Sequence, residues 1–351
     1  MRILLITDSY PIFNEEEYST LPIKNFVQNW ESQGHEIRII KPNFLIESFL
    51  NHKTYTKTGM YENVENLNYL LPFMGDIKKK IRTLFAPDIV ISHGSLGTIF
   101  TNKLGCSFSV AVHNSDVEIL TNPLFKIYFK PELEKAYEKA QKIACPTIVL
   151  KERFLKFYPQ YKKKTFVAPC GISPDFINKR IWIEEEKEKI KILTFGDSIK
   201  QNNIDKIIET CENIDRIELT VIGGNKKKLE KLSQKIILTE PLSHQEILPK
   251  MKNSDIFILP TKKETFGLMY LESMANGCIT ICSKKESLDG IIKDSFNGFL
   301  CEDVEETLKR VIDFPDKNWI INNAYETISN LSDNKASTHY INCLAGNYLK
   351  I

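Results

Sequence analysis

The chain has 351 residues, of which 42% are apolar and 26% charged, and its formal net charge at pH 7 is +2. This length exceeds that of a single core of typical size and suits two domains of ~150 to 190 residues. The small net charge argues against nucleic-acid binding, and no stretch approaches the ~20 apolar residues of a membrane span.

The N-terminus and the cysteines indicate the compartment. Met1 and Arg2 lead directly into an apolar strand, which excludes a signal peptide and predicts a cytoplasmic protein. Eight cysteines are scattered without CxxC pairs or zinc-ligand spacing. They are therefore expected to be reduced thiols, and we expect no metal site.

In chain order, short apolar runs alternate with longer stretches of helical spacing. The runs of the first half that predict strands lie at 2–7, 36–41, 88–92, 109–113, 142–147 and 165–169. Those of the second half lie at 190–195, 217–222, 235–238, 255–259, 278–283 and 299–301. The alternation predicts an α/β fold with two doubly wound parallel sheets, each covered by helices on both faces. Ligands of such sheets bind outside the carboxyl ends of the strands.

The domain boundary is predicted from a break in this alternation. The pattern stops near Pro174, and a charged stretch at 182–189 precedes a fresh strand. We therefore predict a first domain at residues 1–176, a second at 177–330 and a closing helix at 331–351. One arrangement of that helix crosses back to the first domain.

Within the first domain, His113 ends an apolar strand and is followed by Asn114, Ser115 and Asp116. A lone histidine is more often structural. Strand ends line the ligand crevice of such folds, however, which makes His113 a candidate catalytic residue. His93 ends the preceding strand in the same way, and we interpret it as a supporting or structural residue.

Within the second domain, two carboxylates flank a predicted helix start. Residues 256–260 form an apolar strand, and residues 266–276 have helical spacing with Gly277 as a C-terminal stop. Glu264 then lies on the loop and Glu272 in the second turn, ~9 Å along the helix axis from Phe266.

The helix start itself is a predicted phosphate site. Backbone N–H groups around Phe266, Gly267 and Leu268 point outward there, and the helix dipole favours an anion. Glu264 and Glu272 would repel phosphate, so neutral sugar hydroxyls are their natural targets. The ligand that fits is a nucleotide diphosphate sugar. The spacing of the two acids, taken alone, is explained equally by an ordinary strand-turn-helix unit with surface carboxylates.

Several segments resemble the family 4 retaining glycosyltransferases, in the order that the family has them. The stretch from Glu264 to Gly267 matches the EPFG/EGFG-type loop of the Glu-x7-Glu signature, with Glu272 as the second acid. The other segments are MRILLITDSYP at 1–11, APDIVISHG at 86–94, SVAVHNSDV at 109–117, VAPCGISPDF at 167–176 and DSFNGFL at 294–300. The resemblance covers most of the chain.

The resemblance implies a GT-B fold, with two Rossmann-like domains facing across a cleft. It also implies retaining transfer of a hexose from a nucleotide diphosphate sugar, most often a UDP-sugar, to a hydroxyl of a glycan or lipid-linked acceptor. Such reactions serve surface polysaccharide or glycoconjugate synthesis, without a cofactor or metal.

The resemblance also assigns roles to residues. Glu264 would bind donor sugar hydroxyls, Glu272 the ribose and His113 the reacting sugar. The remaining donor-site candidates are the phosphate-binding amides of Phe266, Gly267, Leu268 and Met269, and the loop residues Gly196, Lys200, Gly223 and Gly224, of which the last two would shape the base pocket.

The loop after Gly196 departs from the family pattern. The family has an arginine and a lysine on the diphosphate where this chain has Asp197 and Asn202, and Lys200 or Lys206 would have to substitute. Removing even one preorganised donor costs ~3 kcal/mol of transition-state stabilisation. The departure favours an alternative, a catalytically silent GT-B partner of an active transferase. A sugar-nucleotide epimerase is a third interpretation.

A basic run at 78–82 leaves two further alternatives open. Ile77, Ile81, Leu84 and Phe85 form an apolar stripe beside its charges. The stripe fits the core face of a helix, or a peripheral contact with the inner face of a membrane that carries a lipid-linked acceptor.

Overall fold

A computed structural model describes residues 1–11, 21–44, 59–69, 85–121, 123–173, 176–184, 188–196, 203–261, 266–286 and 288–345. The chain forms two compact units. The first comprises Met1–Gly171 and Asp333–Ile351, and the second comprises Ile172–Ser332. The units part five residues earlier than the boundary predicted after Phe176, and the closing segment belongs to the first unit.

The first unit is built on an eight-stranded sheet. Its strands are β1 (Arg2–Thr7), β2 (Glu36–Phe44), β3 (Gly59–Tyr61), β4 (Val64–Tyr69), β5 (Ile89–His93), β6 (Ser109–Ala111), β7 (Ile143–Cys145) and β8 (Thr165–Val167). The spatial order is β3-β4-β2-β1-β5-β6-β7-β8, and only the pair β3 and β4 is antiparallel. The strand order reverses between β1 and β5, so a ligand crevice is expected where these two strands end.

The second unit has a six-stranded parallel sheet. Its strands are β9 (Ile190–Phe195), β10 (Ile217–Ile222), β11 (Ile237–Thr239), β12 (Ile256–Leu259), β13 (Ile279–Ser283) and β14 (Phe299–Cys301). They lie in the order β11-β10-β9-β12-β13-β14, with the reversal between β9 and β12. All four residues of β12 are buried, as expected for a central strand that is covered on both faces.

Helices pack on both sheets. Those of the first unit's N-terminal part are α1 (Leu21–Ser32), α2 (Gly94–Leu104), α3 (Asn114–Thr121), α4 (Pro123–Lys139) and α5 (Ile148–Phe157). Those of the second unit are α6 (Ile204–Glu212), α7 (Lys226–Leu229), α8 (His244–Lys252), α9 (Leu268–Ala275), α10 (Val304–Ile312) and α11 (Lys317–Asn330), and the last helix is α12 (Asp333–Ala345). No helix in the described part of the chain is long and apolar enough to span a bilayer.

Helix α12 packs on α1 within the first unit. The Trp30 indole N–H donates to the Ser337 carbonyl at 3.2 Å, and Tyr340 packs edge-on to Phe26 with ring centroids 5.2 Å apart. Aromatic packing and a satisfied indole N–H therefore hold the C-terminal helix to a segment some 300 residues earlier in the chain.

Three features of the structure bear on the sequence expectations. The sequence analysis does not predict the hairpin β3–β4, because only Val64 and Leu67 are buried among those of its apolar side chains that the structure describes, and the pattern is weak. Trp182, the first residue of the charged stretch at 182–189, lies in the second unit: it is buried, with the Lys317 ammonium 5.2 Å from its ring centroid. Phe85 lies in the first unit's core, whereas residues 77–84 of its stripe lie outside the described residues.

Two glycines let the loops after β9 and β10 touch. A Cβ on Gly224 would lie 2.5 Å from the Gly196 carbonyl oxygen, and a Cβ on Gly196 would lie 2.5 Å from the Gly223 carbonyl oxygen. Gly224 also has φ +86°, in the left-handed region. The carboxyl edge of this sheet therefore requires residues without side chains at both positions.

Gly224→Ala is expected to destabilise the second unit by about 2–5 kcal/mol, because backbone strain and overpacking add. Gly34→Ala is the matched control, since Gly34 has φ +80° with nothing within 4 Å of its Cβ position. The control should cost only the strain, about 1–2 kcal/mol. Calorimetric unfolding of both variants measures the difference, and equal losses would contradict the close-contact explanation.

Candidate active site

The first turn of α9 begins at the carboxyl end of β12. Gly267 precedes the helix with φ +78° and ψ +67°, a conformation that favours glycine. Phe266 is buried on one side of it, and the Tyr270 hydroxyl donates to the Leu259 carbonyl at 2.6 Å. These contacts anchor the helix start to the strand end. The first N–H groups of a helix lack partners one turn earlier in the helix; that of Tyr270 donates to the Gly267 carbonyl at 3.1 Å, and those of Leu268 and Met269 suit an anion.

Glu272 lies in the second turn of α9 and is only 3% exposed. Side chains of a helix lean toward its N-terminus, which brings the carboxylate over the first turn. Its Oε1 lies 2.7 Å from Nε2 of His244. Because a carboxylate only accepts hydrogen bonds, the imidazole Nε2 carries the hydrogen and donates it.

His244 was missed in the sequence analysis. It is the first residue of α8, which begins with a capping box between Ser243 and Glu246. The Ser243 backbone N–H donates to Glu246 Oε2 at 2.8 Å. The S-x-x-E pattern was available as a helix-start signal. It marks the start of α8 but says nothing about the partner of the histidine.

The remaining donor-site candidates of the second unit divide into two groups. Leu268 and Met269 form the first turn of α9, and Gly196, Gly223 and Gly224 follow β9 and β10 at the same edge of the sheet. The others, Glu264, Lys200, Asp197 and Asn202, lie outside the described residues, so their roles stay predictions.

Three polar residues lie where adjacent strands of the first unit end. Asp8 follows β1, His93 ends β5 and His113 lies two residues after β6. The pairing registers set Thr7 beside His93, and His93 beside Ala111. The imidazoles are hydrogen-bonded, with His113 Nε2 3.3 Å from His93 Nδ1. This cluster lies at the switch point of the sheet, where ligands of doubly wound folds bind.

Asp116 supports the loop that carries His113. Its carboxylate accepts the His113 backbone N–H at 2.6 Å and the Ser95 hydroxyl. Burial raises the pKa of Asp116 to about 6, against the effect of these two donors. Burial likewise raises the pKa of Asp8, and the Asp116 charge adds to this rise.

The histidine pair continues to the C-terminal helix. The Tyr340 hydroxyl lies 3.3 Å from His93 Nε2 and has no other hydrogen-bond partner among the described residues. Burial lowers the pKa of His93 well below its ordinary value and also lowers that of His113, so both rings are neutral at pH 7.

One arrangement of hydrogens satisfies the whole chain of groups. Tyr340 donates to His93 Nε2, His93 then donates from Nδ1 to His113 Nε2, and His113 carries its hydrogen on Nδ1. The reverse direction would leave the Tyr340 hydroxyl hydrogen without an acceptor in the described part of the unit. His113 is therefore a hydrogen-bond donor at Nδ1.

Two family models match consecutive parts of the chain. Residues 23–176 match Glycosyltransferase Family 4, and residues 176–327 match Glycosyl transferases group 1. An uncharacterized glycosyltransferase of Methanocaldococcus jannaschii is 26% identical over 326 residues, which cover 86% of this chain and 84% of that protein.

Solved structures share the fold at low sequence identity. Sucrose-phosphate synthase from Thermosynechococcus elongatus has a TM-score of 0.73 at 13% identity, with 98% of each chain covered. Anabaena HepE in complex with UDP has a TM-score of 0.73 at 12% identity, with 99% of this chain and 100% of that chain covered.

The two Rossmann-like units and these matches define a glycosyltransferase of the GT-B fold. The chain belongs to family 4, among the group 1 glycosyltransferases. The family resemblance recognised in the sequence and the predicted fold class are thereby confirmed.

Tyr340→Phe is expected to destabilise the first unit by about 1–3 kcal/mol, because it leaves a buried imidazole nitrogen without its donor. Nitrogen NMR of the imidazoles should also report loss of the Nδ1–H preference of His113. Tyr158→Phe is the matched control: its hydroxyl is buried in the same unit and has no partner in the described residues. An equal loss in the two variants would contradict the hydrogen-bond chain.

Acidification is expected to act on the two histidines first. Their folded pKa values lie below the unfolded value of about 6.5, so only the unfolded chain takes up these protons as pH falls below about 6.5. Stability therefore falls there. Asp116 acts oppositely: its pKa of about 6 favours the folded unit as pH falls from about 6 toward 4.

NMR titration of the ring protons should give midpoints below about 6.5 for His93 and His113, with His93 lower. In parallel, His93→Phe should lose less stability than the wild type between about pH 7 and about pH 6. A midpoint of either ring at or above the ordinary histidine value would contradict the expected shift.

Proposed function

We propose that the protein is a retaining hexosyltransferase that uses a nucleotide diphosphate sugar, with UDP as the nucleotide. The acceptor is a hydroxyl of a glycan or lipid-linked molecule in surface polysaccharide or glycoconjugate synthesis. The observation that carries the proposal is the buried Glu272 carboxylate behind the open first turn of α9, at the carboxyl edge of a parallel sheet.

The chemistry of this edge suits a nucleotide diphosphate. The backbone N–H groups from Phe266 to Met269 bind the phosphates, where the helix dipole and the left-handed Gly267 allow close approach. Glu272 accepts hydrogen bonds from the ribose. Because the helix start meets the diphosphate charge, the proposed mechanism uses no metal ion.

The identity of the donor is supported by a structural relative. Anabaena HepE, which has this fold, is known in complexes with UDP and with UDP-glucose. By analogy with this relative, we propose that the donor is a UDP-sugar and that the transferred group is a hexose.

In the proposed reaction, the acceptor hydroxyl oxygen attacks the anomeric carbon on the face that the leaving diphosphate vacates. The bond between this carbon and the phosphate oxygen breaks, and a phosphate oxygen takes the acceptor proton, so the configuration is retained. Glu264 binds hydroxyls of the donor sugar. His113 donates from Nδ1 to the reacting sugar, as its hydrogen-bond chain through His93 allows.

Calorimetry with UDP, GDP, ADP and their common sugars tests the donor site. One nucleotide should bind the wild type, and Glu272→Ala should weaken it about tenfold or more, because hydrogen bonds to a charged group are lost. Glu209→Ala, an exposed glutamate on α6 of the same unit, is the control and should bind normally.

Three outcomes separate the alternatives. Binding followed by sugar transfer to an acceptor supports the proposal. Binding without transfer or hydrolysis favours the silent partner, and release of UDP-sugar isomers without acceptor favours the epimerase. If no nucleotide binds the wild type, the proposed donor site is wrong.

A further inference from the structure

We infer that His244 is a positioning residue of the donor site, which orients the Glu272 carboxylate toward the ribose hydroxyls of a nucleoside diphosphate. The inference rests on the proposed function and adds a residue outside the Glu-x7-Glu signature. The observation behind it is the 2.7 Å hydrogen bond between His244 and Glu272, whose side chains are only 14% and 4% exposed, respectively.

The hydrogen bond lies at the ligand end of the unit. Helix α8 ends at Lys252, just before β12 begins at Ile256, so its opposite end with His244 lies toward the carboxyl edge of the sheet. Helix α9 starts at that same edge. The histidine and the first turn of α9 therefore border the crevice where ligands of such sheets bind.

The contact is not needed to hold α8 in the unit. At the far end of α8, the Arg180 guanidinium donates to the Lys252 carbonyl at 3.0 Å, and the Cys278 thiol donates to the Met251 carbonyl at 3.2 Å. Ile247 and Met251 bury the inner face of the helix. Since packing and these bonds already hold α8, the polar contact at its open end has a separate role.

The imidazole is itself held in place. His244 is the first residue of a helix that begins with a capping box. The Phe176 ring also packs beside the imidazole, with ring centroids 5.5 Å apart. A flexible glutamate has several rotamers, and fixing one oxygen on a held donor leaves few orientations for the other. Charge-assisted hydrogen bonds of this kind are short and strong.

This geometry predicts which part of the ligand His244 affects. A carboxylate held in one orientation binds two neighbouring ribose hydroxyls more tightly than a mobile one does. In the proposed binding mode, the phosphates bind at the helix start and do not contact Glu272. Loss of the His244 N–H should therefore weaken ligands that carry ribose hydroxyls and leave ligands without them unchanged.

The test compares UDP with 2′,3′-dideoxy-UDP by calorimetry. The wild type should bind UDP about tenfold or more tightly than the dideoxy ligand. His244→Phe keeps the ring size but removes the donor, so it should lose most of this preference while its affinity for dideoxy-UDP stays within about twofold. Gln245→Ala, an exposed neighbour on α8, is the control and should behave as the wild type.

A conservative pair keeps the test informative if the phenylalanine variant folds poorly. His244→Gln offers an amide N–H near the position of the ring Nε2 and should retain the preference for UDP. His244→Asn offers its amide nearer the ring Nδ1, away from Glu272, and should lose it.

The outcomes distinguish the two proposals. If the wild type binds UDP but His244→Phe weakens both ligands equally, or neither, the positioning role is overturned and the donor site stands. If the wild type binds neither UDP, GDP nor ADP, the proposed function fails and the role of His244 fails with it. A selective loss for UDP, with rescue by glutamine, supports the inference.

Discussion

Parallel strand pairing is the constraint on which the arrangement of polar groups in both units depends. Strands that all run the same way end at the same edge of their sheet, and there the backbone turns into helices and loops. In the first unit, this edge holds His93 and His113, and in the second unit it holds Gly196 and the start of α9. Most buried residues of the strands are apolar, although Ser92, Thr194 and Thr280 are buried as well, and the polar groups of the two candidate sites lie at these edges.

Burial of polar side chains at these edges carries a free-energy cost that each unit offsets differently. In the first unit, the histidines stay neutral and form a chain with Tyr340, while Asp116 accepts hydrogen bonds from a backbone N–H and a hydroxyl. In the second unit, Glu272 is hydrogen-bonded to His244. In both units, these hydrogen bonds satisfy the buried polar groups and keep them ordered at the site.

Local sequence pattern predicted most of the parallel strands because they are continuous runs of isoleucine, leucine and valine. The same signal predicted that helix α9 begins near Phe266. It failed for β3 and β4, where Asn66 is fully buried and apolar residues are few.

The contacts that define the candidate site could not be predicted from the local sequence pattern. His244 and Glu272 are separated by 28 residues, and Tyr340 and His93 by 247. Such pairs meet only through the tertiary fold, and no spacing rule connects them. The positions of His93 and His113 at strand ends could be predicted, but their hydrogen-bond partners required the fold.

The direction of the hydrogen-bond chain in the first unit bears on the proposed chemistry. His113 has Nε2 occupied by His93 and carries its hydrogen on Nδ1, so neither nitrogen has a lone pair free to take a proton from an acceptor hydroxyl. A neutral imidazole that donates can still bind a sugar oxygen. In the proposed reaction, the acceptor proton goes instead to a phosphate oxygen of the departing nucleotide. A histidine that donates but does not accept is compatible with the proposed transfer, in which no enzyme base takes the proton.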